Sequence, residues 1–223
     1  MKKLTLAIFL VLASFSIVSA EMGLKIGFTA QLGEFETSGF ETEGDETSEV
    51  MKEQAFVGLG SYFIEQNLGI LPGPLSRINV GYSHVPHDLK SGTSSNSRTD
   101  QDENTEDTPV LNSISADLSN YDTLYVSVNV FDWLYVKAGT VEVDVKTTEN
   151  IATGSAYPNT SLSGDILGIG LHHQTESGFF GRLEYLDTSI DGTTLTSTTN
   201  SDNKVTLKEL SGETLSISFG KAF

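Results

Sequence analysis

The sequence predicts an all-β fold: an eight-stranded antiparallel up-and-down transmembrane β-barrel. Three observations carry that expectation. Apolar residues alternate with polar or small ones in eight separate stretches, the connections between the stretches alternate long and short, and the chain opens on an export signal. Period-two alternation marks a strand with two chemically different faces. Sorted connections mean that one end of the strand set differs from the other.

The opening, MKKLTLAIFLVLASFSIVSA, sets Lys2 and Lys3 before an apolar run from Leu4 to about Ile17, then small residues at a cleavable position. This is the pattern of a secretory signal peptide over residues 1–20. The run is shorter than the roughly 20 residues that span a bilayer as a helix. Residues 21–223 suit one domain, because a single barrel or sandwich commonly reaches ~200–250 residues. With no cysteine in the chain, disulfides cannot staple it. The formal net charge of −17 becomes −19 once Lys2 and Lys3 are removed, and nucleic acid binding, which needs the opposite sign, is excluded.

The eight stretches follow in order. LKIGFTAQL sets Leu24, Ile26, Phe28, Ala30 and Leu32 on one face. AFVGLGSYF sets Ala55, Val57, Leu59 and Phe63 against Gly58, Gly60 and Tyr62. RINVGYSH gives Ile78, Val80 and Tyr82 against Arg77, Asn79 and Ser83. TLYVSVNV gives Leu124, Val126, Val128 and Val130, and LYVKAG gives Leu134, Val136 and Ala138 against Lys137. ILGIGLHH gives Leu167, Ile169 and Leu171 against Gly168, Gly170 and His172. FFGRLEYL gives Phe179, Leu183 and Tyr185 against Phe180, Arg182 and Glu184, and ETLSISFGKAF gives Leu215, Ile217 and Phe219. Beyond Gly139 the apolar set jumps to Val141, Val143 and Val145, which reads as either a β-bulge or a strand extension.

The long connections fall at about 37–52, 86–120, 147–162 and 191–204, all at one end. The short ones, such as Phe131-Asp132-Trp133 and the TESG turn, fall at the other. A bacterial outer-membrane barrel sorts its loops in this way, with short periplasmic turns and long external loops. Eight strands leave a lumen that side chains just fill, so the expectation is apolar face to lipid, with Gly, Ser, Thr and a few charges inside. A soluble β-sandwich requires the opposite facing. Tyr62, Phe63, Phe131, Trp133, Phe179, Phe180, Phe219 and Phe223 gather near the short turns, where an interfacial aromatic girdle belongs.

On this pattern the chain resembles the small outer-membrane β-barrel family of opacity proteins and OmpA-, OmpX- and OmpW-like barrels. The most specific element is the last strand, where Leu215, Ile217, Phe219 and Phe223 match the alternation that ends on an aromatic; Lys221, where the family often has tyrosine, departs from it. The resemblance implies that these residues form an assembly signal read by the barrel assembly machinery. It also implies outer-membrane lipids and lipopolysaccharide as surroundings.

Candidate site residues are the charges expected in the lumen: Lys25, Arg77, Lys137, Arg182 and Glu184. They are expected either to gate a narrow pore or to form a static plug, since buried charges must be paired. The loop acids Glu41, Glu43, Asp45, Glu46, Asp100, Asp102, Glu103, Glu106 and Asp107 suggest contact with divalent cations, but no built metal site. Asp100, Asp102 and Asn104 begin like a calcium loop, yet Thr105 stands where glycine is needed and Leu111 where the closing glutamate belongs. Some eight-stranded barrels modify lipid A with a His and a Ser on one strand face. Here Ser83 and His84 are adjacent and face opposite ways, and His87 has no serine two residues on, so neither a catalytic set nor a cofactor is expected. Asn159 begins an NTS triplet, read as a chance occurrence. The functional expectation is a structural or surface-interaction barrel, with a narrow porin-like solute channel as the alternative.

Overall fold

A computed structural model describes residues 23–43, 46–47, 50–69, 73–90, 94–99, 109–150 and 155–223. The expected signal peptide, and the loop acids Asp45, Asp100, Asp102, Glu103, Glu106 and Asp107, lie outside them. The strands are β1 (Leu24–Glu43), β2 (Glu46–Thr47), β3 (Met51–Asn67), β4 (Ile78–Val85), β5 (Leu89–Lys90), β6 (Ser94–Thr99), β7 (Pro109–Asn129), β8 (Leu134–Asn150), β9 (Thr160–Gln174), β10 (Phe179–Ile190), β11 (Thr193–Thr196), β12 (Lys204–Leu207) and β13 (Leu210–Ala222). A 3-10 turn, Gly73–Arg77, enters β4.

The staves run β1-β3-β4-β7-β8-β9-β10-β13, each antiparallel to the next, and β13 closes onto β1. Register fixes the geometry. A walk across the ladders from Ile26 passes Ile64, Tyr82, Leu124, Thr140, Asp165, Ser189 and Ser211. It returns to β1 at Glu36, ten residues beyond its start. That stagger is the shear a tilted eight-stave barrel requires.

The staves are longer than a membrane needs. The 20 residues of β1 extend ~66 Å at ~3.3 Å each, and even tilted they exceed an apolar band of about 25 Å. The surplus stands above the band, and polarity inverts where it begins. Along β8, Val136 faces out and Lys137 in; beyond Gly139 the same alternation continues with Val141, Val143 and Val145 buried inside and Glu142 and Asp144 on the opposite face. The β8–β9 ladder runs from Leu134 to Val145 without a shift, so the jump after Gly139 is a strand extension. The irregularity lies on β7 instead, between Ser119 and Asp122, where Asn120 has φ 51°.

Inside the extension sits an apolar core of Val141, Val143, Val145, Leu162, Ile166 and Ile190, with Tyr125 at its base. Three sequence expectations change here. Of the expected loops, residues 37–43, 46–47, 51–52, 89–90, 94–99, 109–120, 147–150, 160–162, 193–196 and 204 are strand, because backbone ladders continue past the apolar band and carry these stretches into the wall or onto it. On β3 the facing is the reverse of the expected one: Leu59 and Phe63 are buried inside and Phe56 and Tyr62 are exposed. Both phases of this stretch carry apolar residues, so the ladder decides. Phe28 lies opposite Tyr62 and Ile26 opposite Ile64, and residues that pair share a face. Phe63 and Phe180 are therefore not girdle residues; their rings lie 6.1 Å apart within the lumen. Phe131 and Trp133 do lie exposed at the short β7–β8 turn, stacked at 5.6 Å.

The β3–β4 ladder is short. It joins Tyr62 with His84 through Asn67 with Asn79. Among the described residues, β3 from Met51 to Ser61 pairs with β1 alone.

Candidate functional site: the ion-paired lumen

Among the described residues, the buried charged side chains are Lys25, Glu65, Lys137, Arg182 and Glu184. Alternation places each on the inward face of its stave, and register brings them to one layer. Lys25 lies directly opposite Glu65 across β1 and β3, and its Nζ donates to Glu65 Oε1 at 3.1 Å. From the far wall Arg182 grips the same carboxylate with both terminal nitrogens, at 2.7 and 2.9 Å. Tyr125 adds a hydroxyl to Glu65 Oε2 at 3.3 Å. Glu65 thus accepts from three directions, which is what a fully buried carboxylate needs.

The second pair is Lys137 Nζ to Glu184 Oε1 at 3.0 Å, with Ser216 Oγ donating to Glu184 Oε2 at 3.5 Å. Below the trio an amide relay continues: Lys25 Nζ donates to Asn79 Oδ1 at 3.1 Å, Asn67 Nδ2 to the same oxygen at 2.8 Å, and Asn79 Nδ2 to Ser127 Oγ at 3.2 Å. Aromatic rings pack the cations. Lys137 Nζ stands 4.0 Å from the Tyr125 centroid, and Arg182 Cζ stands 4.9 Å from Phe180 and 5.4 Å from Phe63 and Tyr135. Glycines make the room. A Cβ on Gly81 would meet the Tyr125 ring at 2.3 Å, and one on Gly170 the Tyr135 ring at 2.3 Å.

Of the five expected lumen charges, the structure brings together Lys25, Lys137, Arg182 and Glu184. Arg77 is not among them. It is exposed in the 3-10 turn and donates to the Val130 carbonyl at 2.9 Å, because the turn precedes β4 and sets the side chain outside the wall. Glu65, the residue that organises the layer, was not expected from sequence: it lies two residues beyond the alternating stretch AFVGLGSYF and just before the turn. Its signal was a lone acid continuing the Ser61-Phe63 phase.

Above the ion pairs is a cavity of about 40 Å³, bordered by Lys137, Arg182 and Glu184 below and by Thr29, Ser61, Ser83, Thr123, Thr188 and Thr214 around it. That volume holds about three waters. The polar layer and the apolar core above it fill the rest.

Outside the wall, His84 Nδ1 lies 2.6 Å from Asp122 Oδ1, and the Tyr82 hydroxyl donates to that oxygen at 2.7 Å. Ser83 borders the inner cavity instead. His172 accepts from Arg182 Nε at 3.4 Å. No group of three or more His, Asp or Glu among the described residues could hold a metal ion. Glu41 accepts from Tyr157 at 3.1 Å, and Glu43 and Glu46 are register partners on β1 and β2. The terminal pattern is in place: Leu215, Ile217, Phe219 and Phe223 are exposed, and β13 pairs along its length with β10 and β1.

No family model matches the sequence, and no curated protein matches it. Solved structures do match. The outer membrane protease OmpT from Escherichia coli shares the fold at a TM-score of 0.53 and 8% identity, over 94% of this chain and 100% of that one. The fold is that of a small outer-membrane β-barrel. Weaker likenesses include the outer membrane protein AlkL (TM-score 0.45, 14% identity, 93% of each chain) and OprG from Pseudomonas aeruginosa (TM-score 0.43, 9% identity, 92% of this chain and 100% of that one). The barrel's own surface agrees with the assignment. Ile26, Phe28, Leu32, Ile169, Leu183 and Ile217 are exposed around an interior of ion pairs and hydroxyls. Such a surface has lipid as its solvent, and closure satisfies the backbone there.

Proposed function

We propose that this barrel is a closed membrane anchor that carries an acidic, strand-built platform above the outer membrane, rather than a pore or an enzyme. The observation behind this reading is the lumen: Glu65, gripped by Arg182 and Lys25, spans it from wall to wall, and the cavity above holds no more than a few waters. Breaking such a buried ion pair costs about 3–5 kcal/mol, so thermal opening is rare. The platform's functional surface is its outer acidic one. Glu34, Glu213, Asp187, Asp165, Glu142 and Asp122 occupy outward positions just above the apolar band on their staves. Carboxylates there suit contact with the divalent cations that bridge lipopolysaccharide phosphates, held diffusely rather than at a built site. Among the described residues no serine hydrogen-bonds the His84–Asp122 pair, whose partner is the Tyr82 hydroxyl, which favours the non-catalytic reading.

A second reading, a narrow path for small solutes, draws on the β3 edge, which β4 leaves unpaired above Tyr62 beside the cavity. Planar-bilayer recording of the mature protein, with insertion verified by protease protection, separates the two. Silence in the wild type, and silence with lowered stability in Glu184→Ala, is expected for the anchor. Discrete steps altered by Glu184→Ala would establish the path.

A further inference from the structure

We propose that the chamber above the ion-pair layer holds one small monovalent inorganic anion of halide size, as a built-in component of the folded barrel. Its floor supplies the first argument. Lys137, Arg182 and Glu184 border the chamber, whereas Glu65, the carboxylate that neutralises Arg182, does not. The chamber therefore faces two cations and one carboxylate. Over the whole lumen the balance has the same sign, with three buried cations against two buried carboxylates among the described residues. An uncompensated charge out of water is costly.

The walls supply the second argument. Thr29, Ser61, Ser83, Thr123, Thr188 and Thr214 ring the chamber, and a hydroxyl can rotate to donate toward a central anion. Thr214, 3% exposed, has no hydrogen-bond partner for its Oγ1. Buried hydroxyls without partners are rare enough to require an explanation. Size is the third argument: about 40 Å³ admits one halide with a water and is too small for a sugar-sized anion such as gluconate. The ion-paired floor of Lys137, Arg182 and Glu184 blocks passage below, so the anion is held rather than conducted.

The test is bromide dependence of the refolded mature chain in detergent, at constant ionic strength balanced with gluconate, which is too large for the chamber. The expected result is a saturable rise in melting temperature, as for any ligand bound only by the folded state. Glu184→Gln should tighten apparent bromide affinity by about tenfold or more, and Lys137→Gln should weaken it by a similar factor, since each changes one charge at the floor. A plug without an anion would lose stability in both variants and respond to bromide in neither. Crystals of the wild type grown in bromide decide the matter if a variant fails to fold. An anomalous peak in the chamber supports the proposal. Water alone in the chamber, or an unsaturable salt effect equal in all three proteins, overturns it.

Discussion

Arg182 and Glu65 meet across the full width of the lumen, two guanidinium nitrogens on two carboxylate oxygens at 2.9 and 2.7 Å. They come from staves three ladders apart, β10 and β3, with β13 and β1 between them. The pair therefore forms only when the barrel closes. Glu65→Gln leaves both Arg182 and Lys25 without a carboxylate. It should destabilise the barrel by about 3–5 kcal/mol in urea unfolding from detergent micelles. Arg182→Met added to it should cost much less than Arg182→Met alone, the mark of a coupled pair.

The tyrosine seats make a packing prediction. Gly170→Ala would set a Cβ 2.3 Å from the Tyr135 ring, and the buried ring, packed against Arg182, would have to shift. The expected loss is about 1–3 kcal/mol. Tyr135→Leu in the same chain should restore part of it, whereas Tyr135→Phe, which keeps the ring, should not.

The polarity boundary on β9 can be read with one substitution at two heights. Ile169 and Ser163 are both exposed outward residues of this stave, the first in the apolar band and the second above it. Ile169→Arg should cost about 2–4 kcal/mol in lipid and Ser163→Arg close to none. Equal costs in vesicle-based unfolding would contradict the boundary drawn here.

Glu34, Glu213 and Asp187 occupy directly opposed positions on β1, β13 and β10. Like charges so placed repel. Glu213→Gln should raise the melting temperature slightly at low salt, by well under ~1 kcal/mol in free energy. Calcium should stabilise the wild type in lipopolysaccharide-containing vesicles more than it stabilises this variant. The reverse order would remove the acidic surface from the proposed function.

Much of the architecture is legible as period-two alternation. The β1, β9, β10 and β13 stretches show their apolar faces directly, because one phase is apolar and the other is glycine, serine or charge. β3 is different: Leu59 and Phe63 on one phase and Phe56 and Tyr62 on the other leave the facing to its ladder with β1. Arg77 shows a different limit. It has the phase of Asn79, but a residue outside the paired segment has no face to obey.

Glu65 and the strand-built platform were missed for related reasons. An acid just past an alternating run has no assigned face until a partner three ladders away appears. A polar connection reads as a loop until a backbone ladder shows part of it to be wall. The sequence alone determined the number of staves, the end at which the long connections lie, and four of the charges that meet inside, since alternation and connection length are local properties. The tertiary structure decided which face of β3 looks inward, which carboxylate unites the cations, and where lipid gives way to water. Those depend on register around a closed circle, and the sign of an alternation is set by the solvent on each side rather than by the residues themselves.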